Sequence, residues 1–491
     1  MNKLTKRLLS LAVVVVMVMA MMPTVFAEEP AYTDWDGSAS AIVNGAYLKL
    51  TDDLVVSERY AINGKTVIID LNGKKITSTA AIQLLYVTGG AKVTIKNGTI
   101  EMPGLAADSS SVMGGIIQTS ASAGNELHLD GVTITRTTNT DALSHAGILF
   151  ARAVVTIKNS TLQVSAPSGD GTTKQEGGLI KVSSGTNLTI ENSTLVGTRA
   201  KYGGCVFGTG SSNTVIKNSV LTGGTATSGR GGDLYTGGSA TATVQEGCTI
   251  GEAYNNGNGI TVAAGTVFYS NPASCNLSGL EAYCMDKTTG KTQYAVYAKL
   301  GDALKAAKAT NTVSLMSDVT AGEVVVPANV TLNLYGKTLT ATSVTSAFEG
   351  AQIKDEKSSK NAGGKLICDN VTVDADNEAA PIYYEGAYHF QKIKVASKQV
   401  ENVYKFYLSD AAADIYLDDV WANGYGESGL KLQLTASYKL NGEEKTKTID
   451  VSDDLIKAYV AGWDTKMFVL TITSDMSNIA DLAFSVRVVT A

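Results

Sequence analysis

Apolar and polar residues alternate along an eight-residue segment that this chain repeats six times between residues 93 and 250. The copies are VTIKNGTI from Val93, LHLDGVTI from Leu127, VTIKNSTL from Val155, LTIENSTL from Leu188, TVIKNSVL from Thr214 and TVQEGCTI from Thr243. In the third copy, Val155 and Ile157 are apolar while Thr156 and Lys158 are polar, which is the two-residue period of a β-strand. The pattern predicts a strand in each copy, because the three- and four-residue spacing of an amphipathic helix is missing.

The fifth position of this octet is Asn or Gly in every copy. These residues are Asn97, Gly131, Asn159, Asn192, Asn218 and Gly247. Because both residue types tolerate the left-handed backbone conformation, we predict a bend at this position. Asparagines at the same place in consecutive repeats can also pair their amides in a hydrogen-bonded ladder.

Successive octets lie 26–34 residues apart, a period typical of a solenoid. A second motif, in which two small residues precede two strand residues, recurs in phase with the octets. Its copies are Gly114–Ile117, Ala146–Leu149, Gly177–Ile180, Gly203–Val206, Gly231–Leu234 and Asn258–Thr261. Each repeat is therefore predicted to hold a strand after the glycines, a short turn, a second strand carrying the octet, and a longer loop.

The opening of this pattern occurs twice, as LNGKKI from Leu71 and as LYGKTL from Leu334. The second opening predicts another, shorter stack, with one further octet at Leu366–Val373. Just before it, Leu300, Ala303, Leu304 and Ala307 fall on one face of a helix that we expect to cap this stack.

Beyond the second stack the period is lost. Short alternating segments and the Asn423-Gly424 and Asn441-Gly442 turns then predict an antiparallel β-sandwich. The predicted fold class is all-β, with a parallel β-helix over 40–275, a helix-capped second stack over 276–376 and a sandwich over 377–491.

The N-terminus has the features of an export signal over residues 1–27. Lys3, Lys6 and Arg7 precede an apolar run, and Val25-Phe26-Ala27 fits the small-residue cleavage rule. An uncleaved membrane anchor is the alternative. After cleavage no other stretch is long and apolar enough to span a bilayer. The sequence thus predicts a secreted protein that is free or held at the cell surface.

The charge composition bears on possible partners, and the positions of the cysteines bear on possible disulfides. The chain carries 40 basic and 46 acidic residues without a basic stripe, so we expect no nucleic-acid partner. Cys205 and Cys368 fall on apolar strand positions and are predicted core thiols. Cys275 and Cys284 lie nine residues apart in a loop-like stretch, where a disulfide is one option and free thiols are the other.

The octets, the glycine pairs and the two openings together resemble right-handed parallel β-helix proteins of the pectate-lyase-like superfamily. The likeness is greatest to large secreted or surface-displayed proteins of Gram-positive bacteria, and it covers roughly residues 40–375. It implies a three-faced coil, an elongated shape and frequent contact with polysaccharide. It does not choose between lyase, hydrolase, adhesin and spacer, because a fold does not fix a function.

Catalysis, if present, is expected in the loops between each octet and the next glycine pair, which share one edge of the stack. The catalytic candidates are Asp141, His145, Arg230 and Asp233. A lyase would need calcium-holding acids beside a basic Arg or Lys, and a hydrolase two carboxylates about 5–10 Å apart. No loop carries more than two carboxylates, and these lie in Ser-, Gly- and Thr-rich stretches, so the sequence favours a non-catalytic edge.

Ligand contact is predicted for basic and aromatic residues of the same edge and of a turn in the C-terminal region. These residues are Arg136, Arg199, Lys201, Tyr202, Trp421 and Tyr425. No cofactor is predicted, and no Cys/His spacing fits zinc. Asp374–Glu378 echoes a calcium loop, but Ala379 replaces its glycine and Pro381 intrudes, so calcium stays only an alternative.

We therefore expect a secreted or cell-surface protein that binds or displays at the cell exterior without catalysis, with a glycan as preferred ligand. Two alternatives stay open. One is a polysaccharide lyase or glycoside hydrolase acting on acidic polysaccharide, and the other is a structural spacer of a surface assembly.

Overall fold

The fold is all-β, with 52% of residues in strands and 4% in helices. The computed structural model describes residues 31–106, 113–138, 145–165, 175–288, 290–346, 350–357, 360–361, 363–373, 381–384, 387–390, 393–396, 403–408, 430–440, 442–451, 467–471 and 479–490. The predicted export signal lies outside these residues. No helix among the described residues is both long and apolar enough to cross a membrane.

Most strands belong to one large, mostly parallel sheet, in which each repeat pairs with the next one along the chain. The first ladder contains the first half of every octet. Its strands are Thr33–Trp35, Ala46–Leu50, Thr66–Asp70, Lys92–Met102, Glu126–Arg136, Val154–Lys158, Asn187–Glu191, Asn213–Lys217, Leu234–Val244 and Ala253–Val262.

A second ladder holds the second half of the octets, after the bend. It runs through Leu54–Val55, Lys75–Thr77, the later parts of Lys92–Met102 and Glu126–Arg136, Thr161–Val164, Thr194–Val196, Val220–Thr222, Thr249–Ile250 and Val267–Phe268.

A third ladder follows the glycine pairs. It runs through Tyr60–Asn63, Leu85–Thr88, Ile117–Thr119, Leu149–Ala151, Ile180–Val182, Val206–Gly208 and the first parts of Leu234–Val244 and Ala253–Val262. The octet thus forms the first two ladders and the glycine motif forms the third. Their apolar side chains share one continuous buried cluster.

The predicted bend is present at the fifth octet position. The four asparagines have φ between 44° and 58°, and Gly131 and Gly247 have φ of 64° and 74°. The asparagine ladder is only partly formed. Asn192 donates to the amide oxygen of Asn159 at 3.4 Å, whereas Asn159 donates to the carboxylate of Asp130 at 2.8 Å.

Serines after the bend form a buried ladder that the sequence analysis did not foresee. The hydroxyl of Ser193 donates to the Glu191 carbonyl at 2.7 Å and accepts the N–H of Ser160 at 3.1 Å. The N–H of Ser193 in turn donates to the Ser219 hydroxyl at 3.0 Å. These hydroxyls satisfy backbone groups where the strands break, so each repeat is tied to the next inside the core.

The second glycine of each pair is explained by close approach of neighbouring backbones. A Cβ on Gly115 would lie 1.7 Å from the carbonyl oxygen of Gly147, and one on Gly178 would lie 2.1 Å from that of Gly204. Any side chain at these positions would push adjacent repeats apart.

Two predicted registers are wrong. In the last octet, Thr243 pairs with Val215 and not with Thr214, because one extra residue is accommodated before the bend at Gly247. The Asn258–Thr261 segment belongs to the first ladder, since Ile260 pairs with Ala242. The final repeat is short, and the strand that continues the third ladder begins at Ala253 instead.

An antiparallel pair joins the large repeat region to the second stack. Ala282–Asp286 and Gln293–Tyr297 pair with each other, and Ala282–Asp286 also pairs with Thr312–Leu315. The predicted helix spans Leu300–Ala306, and Leu300, Ala303 and Leu304 are buried in a second apolar cluster. Two 3-10 turns lie at Ala39–Ala41 and Pro272–Ser274.

The second stack is again largely parallel. Its strands are Thr312–Leu315, Val319–Thr320, Glu323–Val325, Thr331–Asn333, Thr338–Ser346, Gln352–Lys354 and Lys365–Val373, with a small antiparallel pair at Glu356–Lys357 and Lys360–Asn361. The duplicated opening has one local structure. The Asp53 carboxylate accepts the N–H of Lys75 and that of Asp318 accepts the N–H of Thr338, both at 2.8 Å.

The C-terminal segments pair antiparallel, as predicted. Pro381–Tyr384 pairs with Ala387–Phe390, which also contacts Lys365–Val373. Val403–Leu408 pairs with Ile393–Ala396 and Met467–Thr471, and Leu430–Leu440 pairs with Glu443–Val451 and Ile479–Thr490. Leu440 pairs with Glu443, which agrees with a hairpin between these two strands, whereas Asn441 lies outside the described residues.

Cys275 and Cys284 are free thiols in the structure, so the disulfide option is wrong. Cys284 lies on a strand and its thiol donates to the side-chain oxygen of Asn311 at 3.4 Å. Burial raises the pKa of Cys275 to about 12, which keeps this thiol protonated. Cys205 is fully buried, as predicted, whereas the side chain of Cys368 lies outside the described residues.

Candidate functional site

A row of mostly aromatic residues lies along the third ladder, at the position after its two apolar strand residues. In order of pairing, these residues are Tyr86, Gln118, Phe150, Lys181, Phe207, Tyr235 and Tyr254. Because parallel strands pair in register, residues at one position lie directly beside one another in neighbouring repeats. We call this set the aromatic row.

The rings of the aromatic row are stacked at its C-terminal end. Tyr235 lies 5.4 Å from Phe207 and 5.8 Å from Tyr254, with interplanar angles of 29° and 7°. Tyr202, from the preceding loop, stacks on Tyr235 at 4.8 Å. Phe207 and Tyr235 are 6% and 4% exposed, so they pack as a column, whereas Tyr202 and Tyr254 stay half-buried and can contact a ligand.

Lys181 occupies the one basic position of the row. Its ammonium lies 5.7 Å from the Phe150 ring and 5.8 Å from the Phe207 ring, within the range of a cation–π contact. It also forms an ion pair with Glu176 at 2.7 Å. The charge of Lys181 is therefore engaged by groups of the protein itself.

Four further cations lie over rings of the row or beside it, and the first is Arg59, whose guanidinium is 5.2 Å from Tyr86. The guanidinium of Arg152 is 5.8 Å from Phe150, the ammonium of Lys201 is 5.1 Å from Tyr202, and the guanidinium of Arg230 is 5.3 Å from Tyr254. Among the described residues, these cations have no carboxylate within ion-pair distance.

The loops that carry these cations are themselves ordered against each other. Arg199–Ala200 pairs in parallel with Thr225–Ala226 of the next repeat, and Glu176 forms a bridge to Tyr202. Arg199 and Lys201 are partly exposed and Arg230 is exposed. We call Arg199, Lys201, Tyr202 and Arg230 the basic edge. The structure brings together four of the predicted site residues here.

Arg136 does not belong to the basic edge. Its side chain is 0% exposed, and its guanidinium donates to the carbonyls of Pro103 and Leu105 at 3.0 and 2.9 Å. The loop of the preceding repeat is held by these bonds, so the position favours a structural role over ligand contact.

Asp233 is buried at the base of the loop that carries Arg230. Its carboxylate accepts the N–H of Gly224 at 2.7 Å, the N–H of Glu252 at 2.9 Å and the thiol of Cys205 at 3.3 Å. Burial raises its pKa to about 6, against the opposing effect of the two backbone bonds. These contacts anchor two loops and leave this acid engaged with the protein itself.

The remaining catalytic candidates are only partly described. The His145 ring lies 4.8 Å from the Phe150 ring, at the end of the loop that precedes the third-ladder strand. Asp141 lies outside the described residues, as do Trp421, Tyr425 and the calcium-like Asp374–Glu378 segment. Within the described part of the chain, no three His, Cys, Asp or Glu residues are grouped to hold a metal ion.

The sequence analysis does not predict the aromatic row, because the four-residue glycine motif ends one residue before it. One residue further, the copies end in Phe150, Phe207 and Tyr235. An aromatic recurring in phase at that place is the signal that would have predicted the row.

Comparison with protein-family models, curated proteins and solved structures gives no match to this chain.

Proposed function

We propose that this chain is an exported, non-catalytic protein built on a right-handed parallel β-helix, and that it binds glycans at the cell exterior. The binding surface would be the basic edge together with Tyr254. The C-terminal antiparallel strands would form the predicted sandwich, as a separate module. The observation that carries the proposal is that Lys201 and Arg230 lie over tyrosine rings and have no carboxylate partner among the residues that the structure describes.

Such a surface suits a sugar polymer. Tyrosine offers an apolar ring and a hydroxyl, while Arg and Lys donate hydrogen bonds to sugar hydroxyls and carboxylates. The loops of consecutive repeats lie about 4.8 Å apart, so contacts recur along the surface as units recur along a polymer.

The charge of the edge favours an acidic glycan although the whole chain is net negative, at −6. Charges further apart than about 8 Å are largely screened at physiological salt. The attraction of an acidic glycan to this surface therefore depends more on the nearby cations Lys201 and Arg230 than on distant carboxylates.

Affinity electrophoresis on pectin, polygalacturonate, glycosaminoglycans and a neutral glucan tests this proposal. We expect the wild type to be retarded by at least one acidic polysaccharide. Removal of Lys201 and Arg230 together, as Lys201→Ala/Arg230→Ala, should weaken binding at least tenfold, which corresponds to about 1.4 kcal/mol. Absence of retardation on every polymer would contradict glycan binding and favour the structural spacer.

The enzymatic alternative has one specific support. Arg230 is an exposed residue without an acidic partner among the described residues. A polysaccharide lyase acting on acidic polysaccharide would need such a base. Release of unsaturated or reducing sugars from the same panel, abolished in Arg230→Ala, would establish it. Glycan retardation without product release supports the binding proposal instead.

Export is tested separately. The secreted protein is expected to begin at Glu28, as N-terminal sequencing would show, and a chain that keeps residues 1–27 would contradict cleavage.

A further inference from the structure

A row of charged residues crosses the first ladder, and in the octets it occupies the last residue before the bend. In order of pairing, these residues are Asp34, Lys49, Asp70, Lys96, Asp130, Lys158, Glu191 and Lys217. The sign of the charge alternates at every step. We call this set the charge row.

Direct contacts show that neighbours in the charge row interact. Glu191 lies between two lysines, 3.1 Å from Lys158 and 3.9 Å from Lys217. Lys96 lies 3.5 Å from Asp70. Each of these side chains keeps some exposure, so single pairs contribute modestly to stability.

The apolar pattern alone does not tell one repeat from another. The octets from Val93 and Val155 begin with the same five letters, VTIKN, and the octet from Leu188 differs mainly in its acid. A repeat that skipped its neighbour and paired with the next one but one would still bury its Val and Ile side chains. Such a skipped pairing would, however, place Lys96 beside Lys158, or Asp130 beside Glu191.

We propose that the charge row selects the register of the stack, because it favours pairing between sequence neighbours and opposes pairing that skips a repeat. Like charges at directly paired positions of a sheet are destabilising, whereas opposite charges stabilise. The row thus supplies the discrimination between repeats that their near-identical apolar faces lack.

A double-mutant cycle tests whether the row acts as a unit. Lys158→Glu and Glu191→Lys each create two like-charge neighbours, and each is expected to lower Tm by about 2–4 °C at low salt. The double variant restores the pair at 158 and 191 and also has two like-charge contacts. Its Tm should therefore fall about as much as that of one single variant, and a fall equal to the sum of both would overturn the proposal.

Salt and a matched control separate electrostatics from packing. In 1 M NaCl the Debye length is about 3 Å, so most of the Tm difference should vanish. Lys201→Glu makes the same charge change off the row, and its Tm should fall by less than half as much. Equal losses for Lys158→Glu and Lys201→Glu would show that the row has no special role.

Refolding tests the register itself. A neutral row, made by Lys96→Gln, Asp130→Asn, Lys158→Gln, Glu191→Gln and Lys217→Gln, should refold from denaturant to the protease-resistant state in lower yield than the wild type. The wild type should lose the same yield in 1 M NaCl. Equal yields in all three cases would contradict register selection and reduce the row to a stabilising feature.

Discussion

The same repeats build two surfaces that differ in how their charged side chains are paired. On the first ladder, charges alternate in sign and pair across repeats, as Lys158 does with Glu191. Beside the third ladder, Lys201 and Arg230 lie on tyrosine rings, and no carboxylate of the described residues pairs with them. The charges of the first surface therefore pair within the stack, while the cations of the second surface have no such partner among the described residues. We propose that this second set contacts a ligand.

The buried rings of the aromatic row pack against the second surface, since Tyr202 stacks on Tyr235, so their loss should have the largest effect. Tyr235 is 4% exposed between Phe207 and Tyr254. Tyr235→Ala should lower the free energy of unfolding by about 3–5 kcal/mol, because truncation of a packed ring leaves a cavity. Chemical denaturation measures this loss.

Tyr235→Phe is the matched control. It keeps the ring and removes only the hydroxyl, so a loss of about 1.5 kcal/mol or less is expected. If both variants were equally destabilised, the stacked column would not be the source of the stability.

Asp233 should make the free energy of unfolding depend on pH. Its pKa in the fold is about 6, above its ordinary value of 3.8, because it is buried. Its contribution is therefore present below pH 4 and is lost as the pH rises through 6, by about 3 kcal/mol in total. The difference in free energy of unfolding between wild type and Asp233→Asn should shrink or reverse over this range, since Asn does not ionise.

Denaturant titrations at pH 4, 5, 6 and 7 on both proteins would measure this difference. A parallel pH dependence of the two proteins would show that Asp233 is not the titrating group.

Buried serines give a smaller effect on the shared core. Ser193→Ala removes an acceptor for the Ser160 N–H and a donor to Glu191, and should cost about 1–3 kcal/mol. Ser193→Cys keeps a weak donor and acceptor, as Cys248 does at the corresponding place, and should cost less. Equal losses in thermal unfolding would argue against the hydrogen bonds.

The sequence predicted the ladders well because one octet and one glycine motif recur in phase. Bends at Asn97 and its equivalents follow from the tolerance of Asn and Gly for positive φ, and the helix at Leu300–Ala306 follows from its apolar face. The predicted register is wrong at Thr243, because an insertion of one residue does not change the apolar pattern there.

The site was less predictable because its parts come from different repeats. Lys201, Tyr202 and Arg230 were identified by type and loop position, but their ring contacts require the register of the third ladder. Arg136 is a cation of the same type, yet it is buried and its guanidinium donates hydrogen bonds to the carbonyls of Pro103 and Leu105. Only the placement of the preceding loop shows that difference.

One paired measurement tests the contrast between the two surfaces most directly. Lys201→Ala/Arg230→Ala and Lys158→Ala/Lys217→Ala each remove two positive charges, and both would be assayed for polysaccharide retardation and for Tm. We predict that the first variant loses at least tenfold in binding with an unchanged Tm, and that the second keeps its binding but melts about 2–4 °C lower. If both variants lost binding equally, or if both melted alike, the two surfaces would not differ as described.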